Sequence, residues 1–345
     1  MKGIAMNRRL FALAAPALAA LFLTPVAQAA TELRVMVHNS FALPKALLAK
    51  FENDNGIKLS LIKGGDAGEM LNKLILTKAA PIADAVFGID NTLVAKALAA
   101  GVLEPTVVSV QYPADPVLGD AVVAVDYGFV ALNYDKAAVV KKGVPLPTSL
   151  QDLTQPAYKK WLVTPHPATS STGYAFLLAT IASMGEEGAF SWWAKMRANG
   201  LKVVKGWSEA YYTEFSRNQG AYPLVVSYAT SPAAEVFYSK EKTSQSPTAS
   251  LFLKGSVFRQ VEGVGLVKGG QQREAAVKFV DFLRSAPVQE ALQTEMWMYP
   301  VQAKTPRAAV MSHALEPTEF AAPAPDVIAA KGPQWVARWT KVVLK

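Results

Sequence analysis

The stretch LRVMVHNSFALPKALLAKFENDNGIKLSLIKGGDAGEMLNKLILTKAAPIADAVFG, residues 33–88, decides the fold. It opens on Leu33-Arg34-Val35-Met36-Val37, a short alternating strand ended by His38-Asn39-Ser40-Phe41. Pro44 then opens a helix through about Asn53, because proline suits a first helical turn, and Ala46, Leu47 and Phe51 supply its apolar side. Gly56 stops that helix and Ile57 to Ile62 returns as a strand. Gly64-Gly65-Asp66-Ala67-Gly68 leads into a helix carrying Met70, Leu71, Leu74 and Ile75, and Pro81 to Gly88 reads as a third strand. Strands and helices alternating at this spacing predict an α/β fold with a parallel sheet. The double glycine lacks the Lys-Ser/Thr ending of a phosphate loop and the third glycine of a dinucleotide fingerprint, so it reads as a strand-to-helix turn.

Upstream of this stretch, Lys2, Arg8 and Arg9 precede the apolar run Leu10 to Leu23, and Ala27-Gln28-Ala29 supplies a small-x-small cleavage site. Residues 1–29 are therefore expected to be a secretory signal peptide. The apolar run is short for a spanning helix. With no cysteine in the chain, neither a lipidated cysteine nor disulfide stapling is available. Cleavage would remove Lys2, Arg8 and Arg9 and take the formal net charge from +8 to +5. No Lys/Arg block with interleaved aromatics follows, so nucleic acid is not an expected partner. The mature chain must hold itself by core size, and its length exceeds what one core usually serves.

Downstream, Ile89-Asp90-Asn91-Thr92 follows the third strand and a helix runs from Leu93 to Ala100. Asp90 thus sits at a strand end and a helix start, where a carboxylate either caps the helix or faces a ligand. Ala121 to Val125 runs into Asp126-Tyr127-Gly128-Phe129-Val130-Ala131-Leu132-Asn133-Tyr134, an extended stretch fit to join two domains, with the second starting near Asp126. Trp161 to Thr164 is a strand, and Thr169-Ser170-Ser171-Thr172-Gly173 precedes a helix from about Tyr174 to Met184. Four hydroxyls there exceed what capping uses, and they point to an anion or polar ligand.

KGWSEAYYTEFSRNQGAYPLVVSYATSP, residues 205–232, groups Trp207, Tyr211 and Tyr228 with Ser208, Ser227, Thr230 and Ser231. It is read as a turn, a helix-like run from Glu209 to Ser216, and a strand from Leu224 to Tyr228. Any one of these rings reads equally well as core; their grouping with the hydroxyls favours a recognition surface, since pockets combine apolar walls with a few convergent polar groups. Glu262, inside the strand Gln260 to Val267, has apolar neighbours and must be paired, at an opening or facing a ligand. Met296-Trp297-Met298-Tyr299-Pro300-Val301 is a second aromatic turn, and the Pro-rich tail is expected to become helical near Val336 to Leu344.

Catalytic motifs are missing. There is no nucleophile elbow and no H-E-x-x-H, and His38, His166 and His313 are scattered. The residues favour binding over catalysis. The alternative of another class, an exported small-molecule hydrolase, would need a Ser or Asp nucleophile beside a base.

The segments His38-Asn39-Ser40-Phe41, FGIDN from Phe87, DYGFVALNYDK from Asp126, TSSTG from Thr169, KGWSEAY from Lys205, LVVSYATSP from Leu224 and MWMYPV from Met296 resemble the thiamine-binding proteins of bacterial ABC importers. That group also includes ferric-iron binding proteins. The resemblance covers most of the mature chain in the family's order. It implies a type II periplasmic binding protein fold: two α/β lobes joined by crossing hinge strands. Lobe one would be residues 30–125 plus 260–305, and lobe two residues 126–259 plus 306–345. It implies a soluble periplasmic monomer that catalyses nothing, uses no cofactor or bound metal, carries thiamine or its phosphate esters, and delivers them to a membrane permease. Trp207, Tyr228 and Trp297 would wall the thiamine rings. Thr169, Ser170 and Ser171 would form the polar end and Asp90 the acidic contact, with His38, Tyr211, Glu262 and Ser231 also at the ligand. His38-Asn39 stands where the family has Tyr-Asp, and Ala233-Ala234 where a ring-bearing Tyr is typical. The ferric-iron alternative needs neighbouring tyrosines, and the adjacent Tyr211-Tyr212 do not share a helix face.

Overall fold

The computed structural model describes residues 31–104, 115, 117–240 and 243–345; the expected signal peptide lies outside the described residues. The elements run β1 (Thr31–Val37), α1 (Lys45–Asn55), β2 (Ile57–Lys63), α2 (Ala67–Leu76), β3 (Ala85–Asp90), α3 (Val94–Ala100) and β4 (Val123–Asp135). They continue with α4 (Lys136–Lys142), β5 (Leu162–Pro165), α5 (Ser171–Ala198), β6 (Lys202–Val204), the single turn α6 (Trp207–Glu209), β7 (Leu224–Tyr228) and α7 (Ser231–Phe237). The last are β8 (Thr248–Leu251), β9 (Phe258–Leu266), α8 (Arg273–Leu283), α9 (Ala286–Glu295), β10 (Tyr299–Pro300) and α10 (Pro325–Leu344).

The α/β alternation seen in residues 33–88 builds one half. β1 lies parallel to both β2 and β3. Every residue of β3 is buried, as expected of a strand covered on both faces. β1 shows how the two-residue period divides the core. Val35 and Val37 join Phe51, Phe279, Leu283 and Leu292 under α1, α8 and α9. Met36 points the other way, into a cluster with Met70, Leu71, Val86 and Ile89.

The sheet order is β2-β1-β3-β9-β4-β7-β5-β6, with β8 and β10 also on β4. β9 pairs antiparallel with β3 through its second half and with β4 along its length. β4, 13 residues long, goes on to pair with β7 and β8. These two long strands cross between the lobes, giving the two-lobed α/β architecture. Their register shifts between Ala124 and Asp126, opposite Gly263 and Glu262.

Two local expectations are corrected. The run after Trp207 is not one helix: α6 passes into a π turn at Ala210–Glu214 and a 3-10 turn at Ser216–Asn218. The final helix starts at Pro325, not near Val336, and it keeps Pro333 inside. An interior proline costs about 3 kcal/mol. Ile328, Trp335, Trp339 and Val343 are buried on one face of α10, each worth roughly 1.5–3 kcal/mol, so packing outweighs the breaker.

Candidate functional site

The strand and helix ends of both lobes enclose a cavity of 860 Å³. It is reached by the end of β1, the start of α2, the start of α5, the loop through Trp207, the β7–α7 junction, β9 and the turn at Trp297. Ligands of open α/β sheets bind outside strand ends for the same reason: helix N-termini and loop side chains converge there.

Aromatic rings form one wall. Trp207 stacks on Tyr211 with centroids 5.3 Å apart and planes 23° from parallel. Tyr228 stands edge-on to Trp207 at 6.3 Å and Tyr212 at 5.5 Å. The Trp207 indole N–H donates to Ser227 Oγ at 2.8 Å, and Ser227 bonds Ser231 at 2.9 Å, so the indole is fixed in orientation. Such pairs contribute about 0.5–1.5 kcal/mol each beyond burial. At the opposite rim Trp297 has φ 60°, a left-handed conformation rare for a bulky residue. Its ring meets Phe237 at 5.3 Å and Tyr238 at 5.7 Å.

A buried polar chain lies behind the rings. The Tyr228 hydroxyl donates to Gln260 Oε1 at 3.0 Å and lies 3.3 Å from Thr172 Oγ1. Gln260 Nε2 donates to Asp90 Oδ2 at 2.6 Å and to Ser171 Oγ at 3.3 Å. Asp90 Oδ1 also accepts from the Thr92 hydroxyl and from the Thr92 and Leu93 N–H groups. Burial pushes the Asp90 carboxyl up to about 7, against the pull of the Thr92 bonds and helped by the nearby Glu262. Asp90 thus caps the turn into α3 and orients Gln260.

A second set of contacts joins the lobes across the cavity mouth. Asp66, the N-cap of α2, accepts from the Ala67 N–H at 2.7 Å. Its other oxygen accepts from the Trp207 N–H at 2.8 Å. Burial raises the Asp66 carboxyl, while these two N–H bonds work against that rise. Lys205 Nζ lies 2.9 Å from Glu69 Oε2, and the Glu69 N–H donates to the Thr169 carbonyl at 3.0 Å. The Lys205 pair is partly exposed and worth about 0–1 kcal/mol, whereas a hydrogen bond to a charged acceptor contributes about 1.5–3. Asp66 is the stronger tie. Two glycines permit the approach: a Cβ at Gly206 would lie 2.9 Å from Asp66 Oδ2, and one at Gly68 would lie 2.7 Å from the Thr169 carbonyl carbon.

Of the residues singled out in the sequence, His38, Ser171, Trp207, Tyr211, Tyr228, Ser231, Glu262 and Trp297 line the cavity. Asp90 and Ser170 lie fully buried behind it, Ser170 as the N-cap of α5. Thr169 Oγ1 donates to the Lys205 carbonyl at 2.6 Å instead of pointing inward. Thr172, one of the four hydroxyls at the start of α5, lines the cavity as well, and so do Asp66 and Gln260, which were not singled out. Asp66 had a signal: Asp66-Ala67-Gly68-Glu69 has the spacing of a capping box, which fixes a carboxylate at a helix start.

The sequence profile described as "Bacterial extracellular solute-binding protein" matches residues 80–330. The chain is 31% identical over 319 residues to the thiamine-binding periplasmic protein of Salmonella typhimurium, covering 90% of this chain and 93% of that one. It is 26% identical over 266 residues to iron uptake protein A1 of Synechocystis, covering 75% and 73%. A solved structure of a periplasmic thiamin binding protein superposes with a TM-score of 0.79 at 31% identity, over 90% of this chain and 96% of the other. The chain belongs to the bacterial extracellular solute-binding proteins, in the periplasmic group related to thiamine-binding and ferric-binding proteins.

Proposed function

We propose that this chain is the solute-binding component of an ABC importer and that it carries thiamine, or a phosphate ester of it, to a membrane permease. The observation that carries the reading is one cavity holding stacked indole and phenol rings together with the carboxyl groups of Asp66 and Glu262. A thiazolium ring is a delocalised cation, and aromatic faces attract it by about 0.5–2 kcal/mol per contact. Trp207, Tyr228 and Trp297 serve as ring walls, with Ser171 and Thr172 at the polar end. Asp66 replaces Asp90 as the acidic contact, since Asp66 lines the cavity whereas Asp90 lies fully buried behind it. Lobe one comprises residues 30–125 plus 260–305 and lobe two residues 126–259 plus 306–345. They close about the register shift at Ala124 and Asp126.

The ferric-iron reading would need phenol oxygens converging on one point. Here the Tyr211 hydroxyl donates to Glu235 and the Tyr228 hydroxyl to Gln260. The deciding experiment is mass spectrometry of whatever is released on denaturing freshly purified protein. Thiamine or a phosphate ester supports the reading. A metal with no organic ligand supports the iron alternative, and turnover of thiamine phosphates by the purified protein supports a hydrolase.

A further inference from the structure

Three carboxyl groups stand in a row on neighbouring strands. Asp90 of β3 is opposite Glu262 of β9, and Glu262 is opposite Asp126 of β4. Directly opposed residues share a face of the sheet. All three are buried, and only Glu262 lines the cavity. On its cavity side, Glu262 Oε1 lies 3.1 Å from His38 Nε2. The His38 ring packs near Phe87 at 5.7 Å, and its Nδ1 accepts the Ser40 N–H at 3.2 Å.

We propose that His38 is the specificity-determining residue for ligand charge: it keeps a second ring proton, paired with Glu262, when the ligand is neutral, and releases it to solvent when a cation takes that place. This rests on the thiamine reading and goes one step beyond it. The imidazolium and a ligand cation would share the carboxylates of Glu262 and Asp66 in the same small space. In surroundings poor in water, two positive charges so placed repel each other.

As it stands the ring serves the neutral form, and a second proton on Nδ1 displaces the Ser40 N–H bond. Its Nδ1 acceptor bond to Ser40 suits the neutral imidazole with the proton on Nε2. Burial also opposes the charged ring, but Glu262 and, more weakly, Asp66 outweigh it, and the net effect raises His38 above 6.5. Lys63 opposes the charged ring only weakly, and its ammonium is tied to the carbonyls of His38, Asn39 and Phe41. The remaining titratable neighbours are accounted for. Asp126 is pushed well above the carboxylate range by burial and by Glu262, which favours its protonated, uncharged form. The Tyr228 and Tyr174 hydroxyls are pushed up by burial and stay neutral. Asp66 and Asp90 are raised acids that could lose charge in the same direction, so the test must separate them from His38.

The test compares thiamine with an isostere whose thiazolium is replaced by an uncharged ring, by titration calorimetry at about pH 8 and about pH 5.5. In the wild type the preference for thiamine should fall about tenfold or more on going to the lower pH. In His38→Gln, which keeps an N–H donor toward Glu262, the preference should change less than about twofold. An unchanged preference in the wild type overturns the proposal. So does an equal fall in His38→Gln, which assigns the proton to Asp66 or Asp90. A second readout needs no variant: the His38 ring signal in proton NMR should titrate at lower pH with thiamine than with the neutral isostere. Equal titration with both overturns the proposal. Absence of thiamine binding at about pH 8 overturns both this inference and the ligand reading, whereas binding without the pH effect overturns this inference alone.

Discussion

The Trp207 N–H of one lobe donates to the Asp66 carboxylate of the other at 2.8 Å. The same carboxylate caps α2, so one side chain ties helix, loop and cavity together. Asp66→Ala should cost about 1 kcal/mol of stability through the lost cap and weaken thiamine binding about tenfold or more. Asp66→Asn keeps an acceptor but removes the charge. It should melt between the alanine variant and the wild type, because its amide NH2 faces one of the two N–H groups that Asp66 accepts from. It should bind thiamine almost as weakly as the alanine variant. Thermal melts and titration calorimetry check both; wild-type affinity in the asparagine variant would sink Asp66 as the counter-charge.

Trp207→Ala removes the ring that stacks on Tyr211 and the donor to Ser227. Thiamine affinity should drop about tenfold or more, roughly 1.4 kcal/mol. The half-exposed indole contributes little to the core, so the melting temperature should move much less than affinity does. Equal loss of both in calorimetry would make Trp207 a packing residue.

Residues 33–88 make the α/β alternation legible because their two- and 3.6-residue periods are clean and their stops are Pro44, Gly56 and the double glycine. The aromatic lining of the cavity is legible for a similar reason: Trp207, Tyr228 and Trp297 fall at element ends. What escaped is what depends on two distant segments meeting. Asp66 and Trp207 are far apart in the chain, and no local pattern reports their bond. Asp90 looked like a ligand acid because its neighbour Gln260, across the sheet on β9, cannot be seen from position 90. The start of α10 at Pro325, ahead of Val336, escaped because the buried tryptophans that outweigh Pro333 act through α5.

Asp126 sits buried beside Glu262, and burial followed by Glu262 holds its carboxyl well above the usual range. A carboxyl raised in the folded state keeps its proton there while the unfolded chain loses it. Stability is therefore full below the unfolded value near 3.8 and declines as pH rises from there toward the folded value. Asp126→Asn supplies a neutral group of the same shape. It should melt higher than the wild type at about pH 8, with the gap closing below about pH 4. Melts across that range that stay parallel would show that Asp126 is not a protonated acid in the fold.

Gly68 offers the sharpest separation of closure from folding. It lies in the first turn of α2, and a Cβ there would stand 2.7 Å from the Thr169 carbonyl carbon on the facing lobe. That neighbour is backbone beside the start of α5, so it cannot swing aside. Within α2 itself alanine is the better residue, by up to about 1 kcal/mol. Gly68→Ala should therefore leave the ligand-free protein as stable as the wild type or slightly more so, while blocking the approach that lets the Glu69 N–H reach the Thr169 carbonyl and Asp66 reach Trp207. Thiamine affinity should fall about tenfold or more, and small-angle scattering should show less contraction on adding ligand than in the wild type. Gly68→Ser should behave the same way, because the obstruction is the Cβ and not its substituent. A variant that contracts fully and binds as tightly as the wild type would mean that the lobes do not need this contact to enclose the ligand.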